Sequence, residues 1–161
     1  MMGPTVSSLK LEVMDHEKAI DVATECLKQD PKAPFKQVVD AQDLIEQRCL
    51  PIWADISFPQ GGRLSGYIGF CTLNVCDEFI ELYRFFVTPT FRRLGIGREA
   101  LSQLAQYISA EGKSEFYIEL TSSEAAPFWS AAAQDFSVSE AGHCKWKLSF
   151  PKDVAEGIQT R

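Results

Sequence analysis

The sequence predicts a mixed α+β domain whose central, mostly antiparallel sheet is flanked by helices. Two observations carry this. In the middle of the chain the apolar period changes from helical to two, and three period-2 runs follow with only short turns between them. After them, helical and strand patterns alternate. The expected order is β α α β β β α β α β β, around one core.

The elements follow in turn. "LKLEVMD" (9–15) alternates Leu9, Leu11 and Val13 on one face, a strand. In the next segment Ala19, Ile20, Ala23, Cys26 and Leu27 recur at helical spacing, Asp15 is placed to cap, and Pro31 closes the run. A second helix is expected over "PFKQVVDAQDLIEQR", where Phe35, Val38, Val39, Gln42, Ile45 and Cys49 share a face and Pro34 suits the first turn. Strands follow at 50–58, 64–75 and 79–87, separated by "PQGGR" and "CDE", and read most simply as an antiparallel meander. After "TPTFRRLGIG" comes the helix "REALSQLAQYISAEG", with Gly112 placed at C′. "SEFYIEL" is a strand. "SSEAAPFWSAAAQD" is a helix with Ser122 or Ser123 as its cap. "FSVSEAG" and "HCKWKLSF" form a closing hairpin, and 151–161 is an aperiodic tail expected to be mobile.

With 161 residues, 45% hydrophobic and 24% charged, the chain 1–161 is expected to be a single domain. No apolar run approaches the roughly 18–20 residues of a bilayer span, and the N-terminus lacks the basic-then-apolar pattern of a signal peptide, so no membrane role is expected. Five cysteines without CxxC spacing and two distant histidines argue against zinc and against a disulfide framework. Thiols kept reduced in a cytoplasmic setting are the simpler reading. A net charge of −6 disfavours nucleic acid, because phosphate neutralisation needs a basic face.

The segment that carries chemistry is "FRRLGIGREAL". Glycine costs about 1 kcal/mol against alanine in a helix interior, so Gly95 and Gly97 at a helix entry imply free backbone amides or a close approach. A strand, a turn of consecutive amides and a helix N-terminus together make an anion site. Arg92, Arg93 and Arg98 add positive charge and favour a phosphate or pyrophosphate. "GIGREA" also satisfies the G-x-G-x-x-A dinucleotide fingerprint, with Glu119 near the spacing of a ribose-binding acid. Against that reading, "TPTFRRL" separates the first glycine from its strand, the upstream strands are hairpins, and too little chain remains for repeated βαβ units.

"FFVTPTFRRLGIGREAL" resembles the acetyl-coenzyme A signature of the GNAT superfamily of N-acyltransferases, V-x-P-x-[FY]-[RQ]-x-x-G-[IL]-G, here running from Val87 to Gly97. The resemblance extends over roughly 9–150, although only the central motif is specific. It implies a GNAT-like fold and an enzyme that moves an acetyl group from acetyl-CoA to a primary amine by direct attack. It implies that the amides of Leu94, Gly95, Ile96, Gly97 and Arg98 cradle the pyrophosphate, with Arg92 and Arg93 beside them. It also implies that the backbone of Val87 pairs with the pantetheine arm and that the Phe85 amide meets the thioester carbonyl. Ser122 and Trp129 stand where relatives often carry Asn and Tyr. Trp129 has no hydroxyl to protonate a thiolate, and it reads as core or as a wall of the cofactor slot.

The missing acid matters less than the base. A thiol of pKa about 8.5 leaves readily as thiolate, whereas a lysine-like amine of pKa about 10.4 is only about one part in a thousand neutral near pH 7.4. Glu81, eleven positions before Arg92 on the strand entering the turn, is the candidate base, and it is expected to share a face with Tyr83, Phe85 and Val87. Glu119, Tyr117, Tyr83 and Ser123 are weaker candidates for proton transfer. The acceptor is expected to be a small-molecule or peptide amine, cationic given the acidic chain. The rival class is a CoA-binding or protein-interaction module without catalysis, suggested by Ser122 and Trp129. Neither the acceptor nor the oligomeric state is written in the sequence.

Overall fold

The computed structural model describes residues 3–33, 35–39, 46–120, 125–142 and 144–150. Seven strands form one sheet in the order β1-β2-β3-β4-β5-β7-β6. They are β1 (Thr5–Leu11), β2 (Glu46–Ser57), β3 (Arg63–Val75), β4 (Ile80–Val87), β5 (Glu115–Glu119), β6 (Ser137–Gly142) and β7 (Lys145–Ser149). All neighbours are antiparallel except β4 and β5, which run parallel. The meander β2–β3–β4 and the closing hairpin are as the sequence predicts. The antiparallel β3–β4 pairing removes the dinucleotide reading, which needs a parallel sheet around the glycine turn.

Among the described residues, three α-helices cover the two faces. In α1 (His16–Leu27), Asp15 accepts from the Lys18 amide at 3.4 Å, satisfying one of the free donors of the first turn. Its buried side, Ala19, Ala23, Cys26 and Leu27, packs with Cys49, Phe70 and Phe86. The opposite face receives α2 (Ile96–Ala110) and α3 (Ala125–Ala132). There Leu101, Leu104 and Ile108 bury against Leu73, Leu82, Phe116, Ile118 and Leu148. Adjacent residues such as Cys71 and Phe70, or Phe85 and Phe86, fall into different clusters, as the period of a strand requires. At the end of α2, Gly112 has φ 86° and donates to the Ser109 carbonyl at 2.9 Å, while the Lys113 amide reaches Ile108 at 3.3 Å. This is the Schellman closure expected of a glycine at C′.

The second helix expected over 34–48 is corrected in part. Residues 35–39 are not helical, Glu46 already opens β2, and 40–45 lie outside the described residues. The apolar spacing that suggested a helix serves a different purpose. Phe35 sets its ring edge-on to Phe70 and Phe86, at 6.2 and 6.1 Å, and Val38 is buried beside them. Glu46, Gln47 and Arg48 pair with Val75, Asn74 and Leu73, so long-range sheet pairing overrides the local period. The α3 helix is also shorter than predicted; its expected caps, Ser122 and Ser123, lie outside the described residues.

Candidate active site

The turn after β4 begins with a short 3₁₀ segment, Pro89–Phe91, and then bends sharply. Arg93 and Gly95 both adopt left-handed backbone, φ 68° and 76°. For Arg93 this costs about 1 kcal/mol, a local strain of the kind that collects at functional turns. Gly95 is the N-cap of α2, and a Cβ there would meet open space. It is glycine for its dihedral. Gly97 is glycine for a different reason: a Cβ would lie 2.9 Å from Phe128 Cζ and 3.3 Å from Ala132 Cβ. The sequence suggested that both glycines admit a ligand, and the structure assigns the second to packing of α2 on α3.

The amides of Leu94, Gly95, Ile96, Gly97 and Arg98 meet no acceptor among the described residues; the first helical bond at this end is from Glu99 to the Gly95 carbonyl. Five successive donors at a helix N-terminus, two of them following left-handed residues, make an anion-binding concavity. The arginines around it differ in role. Arg92 donates through Nε to the Val87 carbonyl at 2.8 Å, pairs with Asp30 at 2.9 Å and lies over the Phe86 ring. Arg98 makes a two-pronged contact with Asp135, at 2.8 and 2.9 Å, tying the start of α2 to the residues after α3. Arg93 has no partner among the described residues. A hollow of about 380 Å³ is lined by Val6–Leu9 of β1 and by Leu94, Gly95, Ile96 and Glu99 of the turn and α2. It does not reach β4.

Down β4 from the turn, the described residues of β4 and β5 pair only at Glu81–Tyr117 and Leu82–Ile118, and the positions that would face Phe85 and Val87 in this register, 121–123, lie outside the described residues. The Thr88 amide donates to the Ile68 carbonyl at 2.8 Å. Alternation in an antiparallel pair then gives Phe86 to β3 and turns the backbone N–H of Phe85 and Val87 away from it, toward the β5 side. The Val87 carbonyl on that side is the one Arg92 holds. On the α2–α3 face the Phe85 ring meets Phe128 and Trp129 at 5.9 and 5.7 Å, and these two rings are 4.9 Å apart. Trp129 therefore packs on Phe85 beside β4.

Glu81 is not where the sequence placed it. β3 and β4 shift register between Thr72 and Leu73, which face Arg84 and Leu82, leaving Tyr83 as an extra residue. This bulge reverses the alternation. Glu81 therefore shares the α1 face with Arg84 and Phe86, while Phe85 and Val87 point to the other face. Glu81 is 7% exposed. Asn74 Nδ2 donates to its Oε1 at 3.2 Å, Lys145 Nζ lies 3.0 Å from Oε2, and Gln47 Nε2 donates in turn to Asn74 at 3.0 Å. The Glu81 carboxylate, with Glu119 and Tyr117 near, holds the Lys145 ammonium above its usual pKa. Glu119 ends β5 opposite Lys145, and Tyr117 sets its ring against Phe79. Both stand on the Glu81 side. Ser122 lies outside the described residues. Asp30, Asp135, Phe128 and Lys145 escaped the sequence reading because each acts through a partner distant in the chain, and no local pattern marks them.

A turn of amides unpaired among the described residues, at a helix N-terminus and after a strand whose last N–H groups face away from β3, is an arrangement suited to an anionic ligand. The family follows from comparison. The model of the acetyltransferase (GNAT) family matches residues 16–131, and the chain belongs to that family. No curated protein matches the sequence. Among solved structures, the PaiA N-acetyltransferase of Thermoplasma acidophilum in complex with coenzyme A is 17% identical, over 89% of this chain and 99% of its own, with a TM-score of 0.53. Apo FdhC, a nucleotide-linked sugar GNAT, is 11% identical over 99% and 96%, with a TM-score of 0.58. The CoA-dependent acyl-homoserine lactone synthase BjaI, with SAM and isopentyl-CoA, is 12% identical over 99% and 89%, with a TM-score of 0.52. At these identities the likeness is one of fold.

Proposed function

We propose that this chain, acting as one domain over 1–161, is an acetyl-CoA-dependent N-acetyltransferase that acetylates a primary amine by direct attack. The observation that carries the reading is the alignment of backbone donors unpaired among the described residues: five amides at the turn, then those of Val87 and Phe85 on the side of β4 away from β3. Such a row suits a ligand with a diphosphate at one end and an amide-bearing arm. Bound acetyl-CoA supplies an activated acetyl thioester.

In this reading the residues divide the work. The Leu94–Arg98 amides and the α2 dipole hold the diphosphate, and Arg93, unpaired among the described residues, adds its charge to them. Arg92 acts indirectly, fixing the Val87 carbonyl and leaving the Val87 N–H to the arm. The Phe85 N–H faces the β5 side, where an oxygen gathers negative charge during acyl transfer. Glu81 receives the acceptor's proton; Asn74 and Lys145 fix its two oxygens. Trp129 excludes water from the α3 side. Five unpaired cysteines fit a reducing, cytoplasmic setting, and among the described residues no helix is long and apolar enough to cross a membrane.

A non-catalytic CoA-binding module is the second reading. It is favoured by Glu81 already being ion-paired on one oxygen and hydrogen-bonded on the other. Thiol release from acetyl-CoA across a panel of polyamines, amino acids, peptides and aminoglycosides separates the two. Release with at least one amine is expected. Coenzyme A binding without release from any of them, the protein's own lysines included, transfers the argument to the second reading.

A further inference from the structure

An ammonium group already stands where an acceptor amine would meet its base. Lys145 Nζ lies 3.0 Å from Glu81 Oε2, and the Glu81 side chain is only 10% exposed. We propose that Lys145 is itself an acceptor, and that this chain transfers an acetyl group from acetyl-CoA to its own Lys145 Nζ. The inference rests on the reading above, in which Glu81 takes the acceptor's proton.

Lys145 opens β7 and pairs with Glu119 of β5, so its side chain crosses β5 to meet β4. Neighbouring strands lie about 4.8 Å apart, and spanning two of them uses most of the length of a lysine and a glutamate. The other carboxylate oxygen is engaged: Asn74 Nδ2 donates to Oε1 at 3.2 Å, and Gln47 donates to Asn74 at 3.0 Å. An amine handing its proton to Glu81 therefore meets Oε2, where Lys145 Nζ stands. A general base must lie within hydrogen-bond reach of the proton it takes, and this pair satisfies that. The other ion-paired lysines differ. Lys28 and Glu25 are 67% and 73% exposed, and Lys147 stands 3.7 Å from a Glu115 that is 43% exposed. Among the described residues, only Lys145 faces a buried carboxylate.

The step balances as an ordinary acyl transfer. Lys145 Nζ gives one proton to Glu81, forms a bond to the thioester carbonyl carbon and loses a second proton to solvent. The C–S bond breaks, and coenzyme A leaves as the thiolate. Glu81, with Glu119 and Tyr117 near, holds the Lys145 ammonium above its usual pKa, so the neutral amine is scarce and the step is slow. Once neutral, Nζ loses the attraction that keeps it at Oε2, and the flexible stem of a half-buried lysine lets it turn to the thioester. The product amide carries no charge and no longer pairs with Glu81.

The test needs no external amine. The full chain is treated with acetyl-CoA and, separately, with N-hydroxysuccinimidyl acetate, which acetylates lysines according to exposure and protonation alone. Peptide mass spectrometry follows each position in time. With acetyl-CoA, Lys145 should gain its acetyl group at least about tenfold faster than the exposed Lys32 and Lys36, because its amine is already held at the base. With the small reagent the order should reverse, since Glu81 keeps Nζ protonated. The Lys145 rate constant at saturating acetyl-CoA should not change on about tenfold dilution of the chain, as transfer within one molecule requires. Lys145→Arg keeps the charge and should abolish the fast addition. Lys145 reacting no faster than Lys32 and Lys36 with acetyl-CoA, leading with both reagents, or slowing on dilution overturns the proposal and leaves transfer to external amines intact. Calorimetric titration separates the remaining case: no binding of acetyl-CoA overturns the coenzyme reading, and this inference with it.

Discussion

Two glycines illustrate how differently one residue type is used. At Gly69 a Cβ would stand 2.0 Å from the Phe86 carbonyl oxygen, a backbone atom that cannot step aside. Gly69→Ala is therefore expected to cost about 3 kcal/mol, the upper range for overpacking, read as a lowered urea midpoint. At Gly95 the surroundings are open and only the left-handed φ is at stake. Gly95→Ala should cost about 1 kcal/mol of stability yet weaken coenzyme A binding more than that, because the strained backbone also re-aims the amides. Equal coenzyme A affinity in this variant would show that the turn does not depend on that dihedral. Glu81→Gln tests the proton acceptor: kcat/KM should fall about a hundredfold with coenzyme A affinity unchanged. An unchanged kcat/KM removes Glu81 from the chemistry.

The elements carry two features that no single residue explains. The bulge at Tyr83 turns the Phe85 and Val87 side chains to the α2–α3 face while Glu81 stays on the other. β1 is an edge strand whose outer side is covered by one side chain: Gln103 of α2 accepts from the Leu11 amide at 2.9 Å and donates to the Leu9 carbonyl. One amide thus stands in for a neighbouring strand, a way of blunting an edge that would otherwise pair with another chain. Gln103→Ala should speed amide hydrogen exchange at Leu11 and raise light scattering on heating, and an unchanged exchange rate at Leu11 would refute this. Much at this scale was legible in the sequence. The meander, the helix after the glycine turn, the Asp15 cap and the Gly112 closure each rest on local chemistry that short windows contain. The bulge was not, because it arises from the fit of β4 onto β3 and leaves no mark on "IELYRFFV". The second helix failed for a related reason, since Phe35 and Val38 are placed by rings far along the chain.

At the scale of the whole molecule, charge and burial set the conditions under which the fold persists. Hydrogen bonds lower the carboxyl pKa values of Asp30, Asp55 and Asp135, from Arg92, Ser65 and Arg98 respectively. Folded values below the unfolded value of about 3.9 mean that each contributes above roughly pH 4 and that the contribution is lost as pH falls through the depressed folded values. Asp135 is exposed and Asp30 and Asp55 are half-buried at the surface, so the effect is modest and partly screened by salt. The urea midpoint should hold from neutrality to about pH 4 and decline below it, less steeply in Arg98→Leu. The anion turn itself was the most legible part of the site, because glycines, arginines and a helix start lie within eleven consecutive residues. Its supports, Asp30 for Arg92 and Asp135 for Arg98, lie 62 and 37 positions away and become visible only in the fold. Burial pushes the Cys26 thiol up to about 11 and Cys49 up to about 12, and it raises Cys71 as well. The most direct test of the central claim is a ¹⁵N-resolved titration of the protein with coenzyme A. The amides of Leu94 to Arg98 and those of Val87 and Phe85 should move together and most strongly. Saturable binding that leaves these seven signals in place, or no binding at millimolar coenzyme A, would contradict it.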